Sequence, residues 1–342
     1  MKTKKSRTLF DEDFRLEKIS RKQDPLEKLN KNINWEIFRP TLNQVFKKEP
    51  KGPGGCPPYD YVMMFKILIL QRYYNISDEQ VEYQILDRLS FMRFLELTLS
   101  DDVPDHNTVW LFRENLANSG TVEKLFSCFD EQLQLLGLIA NKGSIIDASF
   151  VDVPRQRNSR QENKEIKENK IPESFQENKH VMCHKDLDAR WTKKNNETFY
   201  GYKNHVKVCA KSKLIQNYEV TDASVHDSQA LENLIDQTNT NQELYADSAY
   251  SGKPIANILQ DKGIINQIHE KGTRKSALNE VQKANNKIKS KTRVRVEHVF
   301  GFVEKNMNGS FIYTIGKIRA RAVIGLMNIT YNLFRTVQLI NA

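Results

Sequence analysis

At 342 residues, 39% hydrophobic and 28% charged, the chain is long enough for two domains or for one large domain with appendages, and either can bury a core. Its 52 Lys and Arg against 43 Asp and Glu leave a net charge of +9, which favours a polyanionic partner. Cys56, Cys128, Cys183 and Cys209 are scattered with no Cys-x-x-Cys pair, so neither a zinc site nor a disulfide framework follows. Met1 to Arg7 leads into no apolar signal segment, and the apolar run Tyr61 to Leu70 is short and interrupted by Lys66. The expectation is a reducing cytoplasm and no membrane partner.

Residues 1–58 read as a basic tail ending in a Gly- and Pro-rich loop, Pro50 to Pro58, suited to phosphate contacts. Apolar residues at helical spacing follow from Tyr61 to about Tyr74. Ser77, three residues before Gln80, is in capping register for a second helix from Asp78 to Leu86; a third spans Phe91 to Leu97. After the turn Asp101 to His106, Asn107 or Thr108 can cap a helix carrying Trp110, Leu111, Phe112 and Leu116. Short helices joined by polar turns over 59–140 resemble a helix-turn-helix DNA-binding module, although few Lys or Arg lie on them and a plain bundle or dimerisation surface fits equally.

From Gly143 the pattern shifts to period two, predicting strands over Ser144 to Val153, Lys203 to Lys211, Ile215 to Thr221, Glu243 to Ala246 and Ile264 to Ile268. Helices are expected around Ser228 to Gln237, Pro254 to Lys262, Val294 to Lys305 and Ala320 to Leu339. Hairpin-connected strands followed by strands alternating with helices predict an α/β fold over 141–342, a mixed sheet with flanking helices behind an all-helical N-terminal domain. The polar stretch 154–201, poor in aliphatic residues, reads as an insertion or mobile arm.

Three acids stand out. Asp147 and Asp247 end the apolar runs Ile145-Ile146 and Leu244-Tyr245-Ala246, where a carboxylate is costly unless a metal, proton or hydrogen bond satisfies it. Glu297 lies in a stretch, Lys271 to Lys305, with ten Lys/Arg against three acids. Singly, each has a plain alternative: a strand-edge residue, a turn former, or a helix ion-pair partner of Arg293. Together, two Asp and one Glu are suitable ligands for Mg²⁺, with Mn²⁺ as a substitute, where His or Cys clusters would not be. Two such ions can activate one oxygen and stabilise the leaving oxygen of a phosphodiester.

The stretches Ile145-Ile146-Asp147-Ala148-Ser149, Tyr200 to Val206, Thr221 to Ser228, Ala246 to Gly252 and Arg293 to Gly301 resemble, in order, the DDE transposases of bacterial insertion sequences, in particular the IS-five-like branch of the IS-four-like group. The resemblance implies a ribonuclease-H-like catalytic core with Asp147, Asp247 and Glu297 as catalytic metal ligands. It also implies binding of double-stranded DNA at terminal inverted repeats, cleavage at the element ends, and joining of the 3′-hydroxyls to target DNA. Two ends must be brought together, so a homodimer on DNA, associated with the nucleoid, is expected. A metal-dependent nuclease of the same fold and a non-catalytic DNA-binding regulator are the alternatives.

The wider group has a Tyr, Arg, Glu and Lys signature at fixed spacing; Arg293 and Glu297 fit it, whereas Ser290 stands at the Tyr position and Glu304 at the Lys position. On a regular helix Arg293 lies about 40° from Glu297 and Lys305 about 80° to the other side. Arg293 is therefore the stronger phosphate contact. Arg295, Lys203, His205, Tyr250, Lys253 and Lys305 are further DNA-contact candidates, for phosphate or for stacking on a base. Asp152, Asp222 and Asp227 are rival acids, and His226 with Asp227 reads as a helix cap.

Overall fold

The computed structural model describes residues 10–46, 57–139, 143–236, 240–272 and 276–341. The first nine residues, most of the Gly- and Pro-rich loop with Cys56, and the end of the helix expected to reach Gln237 lie outside them, as do Arg274 and Lys275.

Residues 10–46 are not a tail. They form α1 (Asp11–Ser20), α2 (Pro25–Asn32), a 3₁₀ turn (Trp35–Phe38) and α3 (Arg39–Phe46). Asp24 caps α2 by accepting from the Leu26 N–H, with Pro25 following at the first helical position. Leu26, Leu29, Trp35, Phe38 and Leu42 are buried. Apolar spacing there was masked by the surrounding Lys and Glu, so charge suggested a tail where burial built a helical layer.

Asp60 caps α4 (Tyr61–Tyr74), which is buried on nearly every face from Val62 to Gln71 and ends at left-handed Asn75 (φ 48°). Ser77 accepts from the Gln80 N–H and starts α5 (Asp78–Asp87), as its spacing predicts. α6 (Leu89–Leu95) follows, then α7 (His106–Asn118), capped by Asp105 accepting from Thr108 N–H and not by Asn107 or Thr108. Asp105 precedes the helix and presents its carboxylate to the orphan N–H groups, which leaves the two later residues inside the first turn. α8 (Thr121–Leu135) completes this layer.

The sheet comprises β1 (Ser144–Asp152), β2 (Arg190–Lys194), β3 (Glu197–Cys209), β4 (Ile215–Asp222), β5 (Glu243–Tyr245) and β6 (Ile265–Asn266). Its main path is β2–β3–β1–β5–β6, in which β2, β3 and β1 are antiparallel while β5 and β6 run parallel to β1; β4 pairs antiparallel with β3 off this path. This is a mixed sheet with flanking helices, as the sequence pattern predicts.

The segment 154–201 is largely folded, contrary to a mobile arm. It holds α9 (Arg160–Lys167), with a reciprocal Ser159/Glu162 capping box, α10 (Glu173–Gln176), α11 (Lys179–Cys183) and β2. Asp186, 1% exposed, anchors it by accepting from the Tyr202 hydroxyl at 2.9 Å and from the N–H groups of Asp188, Ala189 and Gly316. A few buried side chains and one satisfied carboxylate replace the aliphatic content the stretch lacks.

After β4 come α12 (Leu231–Leu234), α13 (Lys253–Asp261), α14 (Glu280–Arg293), a 3₁₀ turn (Val294–Val296), α15 (Glu297–Met307) and α16 (Lys317–Ile340). The sheet's two faces bury different clusters. Ile145, Val206 and Val208 join the residues of α4, α8 and α16 in one apolar core that runs from Leu26 to Val337. Ile146 on the opposite face packs with Leu231, Leu234, Ile255 and Leu259. Strand alternation produces this division, and it decides which polar side chains can meet.

Candidate active site

Asp147 sits on the central strand β1 opposite Val206, on the face of Ile145 and therefore beneath the α14–α15 hinge. β5 pairs with β1 as Ser144↔Leu244 and Ile145↔Tyr245. Continued two residues, that register brings Asp247 beside Asp147, about 5 Å away strand to strand. Asp147 lies inside β1, and Asp247 lies two residues beyond the carboxyl end of its shorter parallel neighbour β5, where the sheet steps down beside the central strand. Asp247 Oδ1 accepts from the Ala249 N–H at 2.8 Å and so caps the 3₁₀ turn Ser248–Tyr250.

Glu297 opens α15. It is exposed and its side chain makes no hydrogen bond or ion pair among the described residues, while Val296 and Val299 on either side bury into the core and fix the helix. Arg293 ends α14, and its Nη1 donates to Asp147 Oδ2 at 2.9 Å. Asp147 Oδ1 accepts from the Ala148 N–H.

These contacts set the electrostatics. Burial pushes the Asp147 carboxyl up to about 6; the Ala148 N–H and the Arg293 guanidinium pull it down, and the negative charges of Asp247 and Glu297 push it further up. The three acids therefore sense one another. As the side chains stand, no group of three or more His, Cys, Asp or Glu among the described residues is drawn together tightly enough to hold a metal. Asp147 is turned to Arg293, and that guanidinium supplies the positive charge a cation would. The donor set, three carboxylates of which one has its pKa raised to about 6 by burial yet stays largely ionised at neutral pH, nonetheless suits a hard divalent cation.

The stretch expected as one helix, Val294 to Lys305, is broken into a 3₁₀ turn and α15. Overwinding by about 20° per residue across three residues rotates Arg293 roughly 60° relative to Glu297, beyond the regular-helix offset. Arg293, just before that turn, points at Asp147, and Glu297, just after it, also lies near enough to raise the Asp147 carboxyl. Arg295 is exposed and donates to the Ala210 carbonyl at 2.7 Å; Lys305 and Lys253 are exposed at a helix end and a helix start.

Lys203, His205 and Tyr250 do not present themselves to DNA. Lys203 and His205 alternate with Val206 on β3 and so face away from Asp147. Lys203 Nζ, buried, donates to the Val225 carbonyl and to Asp227 Oδ1 at 2.7 Å. His205, 0% exposed, pairs through Nε2 with Thr221 Oγ1, and burial lowers its pKa to about 4, so the ring is neutral. Tyr250, also 0% exposed, packs beneath the strand ends with Ile146 and Leu244. The rival acids are engaged: Asp152 accepts from the Tyr200 N–H, Asp222 from Ser224, and Asp227 pairs with Lys203. His226 caps the turn Asp227–Ala230 by accepting from the Ser228 N–H, as its spacing predicts.

One neighbour escaped the sequence reading. His269 follows β6, its N–H donates to the Ala246 carbonyl, and its Nε2 lies 3.3 Å from Ser290 Oγ. Burial lowers its pKa, with the Arg293 and Lys289 charges adding to the fall and Asp247 opposing it. Asp247 and His269 thus follow the carboxyl ends of β5 and β6, on the side of the sheet where β1 carries Asp147. The detectable signal was the position of His269 directly after a predicted strand.

Residues 14–115 match the family described as "Transposase domain (DUF772)", and residues 140–333 match "Transposase DDE domain". Among solved structures, a cryo-EM structure of the piggyBac transposase synaptic complex with hairpin DNA aligns over 92% of this chain and 75% of that chain, at 13% identity and TM-score 0.45. No described helix is long and apolar enough to cross a membrane.

Proposed function

From the premise that this chain belongs to the transposase DDE-domain family, whose members cut DNA in transposition, we propose that it is the transposase of a bacterial insertion sequence of the IS-five-like branch. It binds the terminal inverted repeats, cleaves at the element ends and joins the 3′-hydroxyls to target DNA. Asp147, Asp247 and Glu297 are the catalytic carboxylates. The observation that carries this reading is the parallel register of β1 and β5, which leads Asp247 toward Asp147, with the charges of Asp247 and Glu297 both close enough to raise the Asp147 pKa.

The three carboxylates would hold divalent metal, Mg²⁺ or Mn²⁺, and the metal would supply Lewis-acid activation of the attacking oxygen and stabilise charge on the leaving one. The chain's own part is to hold negative charge in a half-buried crevice at β1 and β5, with Arg293 keeping Asp147 ionised until it turns to a cation or a DNA phosphate. Arg295, Lys253 and Lys305 contribute phosphate contacts from the exposed rim. The helical region, residues 59–140, grips DNA beside the catalytic portion, residues 141–342, and two copies meet on the paired ends.

The test is incubation of the full chain with duplexes carrying the element ends, Mg²⁺ and a plasmid target. Cleaved ends joined to the plasmid are expected. Cleavage without joining would assign a nuclease of the same fold, and binding without cleavage a regulator. Asp247→Asn retaining wild-type cleavage would remove Asp247 from the site.

A further inference from the structure

Away from the carboxylates, the end of α4, α7 and the start of α16 enclose a cleft of about 580 Å³ together with the segment 311–315. Three arginines and two carboxylates line it. Arg113 donates to both oxygens of Asp78, at 2.6 and 2.8 Å, and Arg319 Nε donates to both oxygens of Glu114. The third arginine, Arg72 in the last turn of α4, is half-buried and has no hydrogen bond or ion pair from its side chain among the described residues. Its carboxylate neighbour, Asp78, is already engaged by Arg113 through both oxygens and by the Gln71 amide at 2.6 Å.

A guanidinium out of bulk water beside another guanidinium is costly, and proteins keep such an arrangement where an anion completes it. Burial and the Arg113 charge draw the Arg72 pKa down to about 10, with Asp78 opposing, which still leaves it charged at neutral pH. Trp110, 45% exposed, forms part of the rim.

We infer that this cleft is a phosphate-binding site in which Arg72 supplies the free guanidinium, with the Arg113–Asp78 and Arg319–Glu114 pairs holding its walls. Planar guanidinium groups match the oxygens of phosphate better than ammonium groups, and the cleft offers arginine alone. The phosphate comes either from a DNA backbone or from a small free phosphate compound. The DNA assignment rests on the transposase reading; the site itself does not.

The full chain is titrated with inorganic phosphate at ionic strength balanced by KCl, following thermal unfolding and the fluorescence difference between wild type and Trp110→Phe, which isolates the rim tryptophan. Wild type is expected to gain Tm with phosphate and to show a saturable Trp110 signal; Arg72→Met is expected to lose at least tenfold in apparent phosphate affinity while melting no lower than wild type. In parallel, binding of a random-sequence duplex is measured against salt. A log–log slope shallower by about 0.9 in Arg72→Met identifies a DNA phosphate as the source, and an unchanged slope a free phosphate compound. The proposal is overturned if wild type shows no phosphate response, or if Arg72→Met keeps it. Arg72→Lys covers the case in which Met prevents folding, because it preserves the charge and is expected to retain part of the response. Failure of the transposase reading would appear instead in the cleavage assay and leave the phosphate response intact.

Discussion

Asp147→Asn separates the cost of the carboxylate from its use. The Asp147 side chain is 17% exposed, and its pKa in the fold rises from 3.8 to about 6. At ~1.4 kcal/mol for each tenfold change in proton affinity, that rise corresponds to about 3 kcal/mol. The native state holds the proton more tightly than the unfolded chain does. Unfolding free energy therefore falls as pH rises between about 4 and 6, and the full penalty persists above that window. Asn carries no charge and can still accept from Arg293, so Asp147→Asn escapes the penalty. In metal-free buffer with EDTA at pH 7.5, the variant should melt above wild type by about 6 °C, at roughly 2 °C per kcal/mol for a chain of this size. The gap should close as the pH is lowered to about 4, and DNA cleavage should be lost. Differential scanning calorimetry across pH, with matched ionic strength, reads the effect. A variant that melts below wild type at pH 7.5, or a gap independent of pH, would refute the placing of Asp147 as a strained, half-buried anion.

Addition of Mg²⁺ in the same experiment should raise the wild-type Tm and leave Asp147→Asn and Asp247→Asn nearly unmoved, because a ligand stabilises only the state that binds it. Arg293→Ala removes the partner 2.9 Å from Asp147; cleavage should fall by about 10²-fold, and the acidic limb of its pH profile should move to higher pH as Asp147 loses the charge that pulls it down. Gly325→Ala places a Cβ 2.4 Å from Tyr218 Oη and 2.7 Å from Val122 Cγ1, so denaturant melts should show a loss of about 1–3 kcal/mol, part of it recovered by Tyr218→Phe. Asn328→Ala orphans the buried Asn204 amide it bonds at 2.9 Å, with an expected loss of about 1–3 kcal/mol in the same assay.

The order of strands and helices was readable where the pattern is strong. The runs around Ile145 and Val206 fold as the strands expected of them, with β3 buried on both faces from Tyr200 to Cys209, and α4 and α16 are apolar over lengths only a helix buries. Weaker signals misled. Charge disguised α1 to α3, whose apolar residues are sparse, and the folded state of 154–201 hangs on contacts such as Asp186 to Tyr202 that link residues far apart in sequence. Lys203 and His205 stood beside a matching motif, yet proximity along a strand is divided between two faces, and they occupy the one away from Asp147.

The amino-acid order by itself determined the family resemblance, the three acids and the α/β alternation, because local periodicity and residue chemistry are written residue by residue. Only the tertiary structure decided which acids meet. The parallel register of β1 with β5 joins residues about a hundred apart, and the 3₁₀ turn at Val294–Val296 aims Arg293 at Asp147. It likewise left Arg72 without a carboxylate, since that outcome depends on Arg113 reaching Asp78 first across two packed helices. Pairings of this kind follow from packing geometry, to which no local stretch of sequence is sensitive.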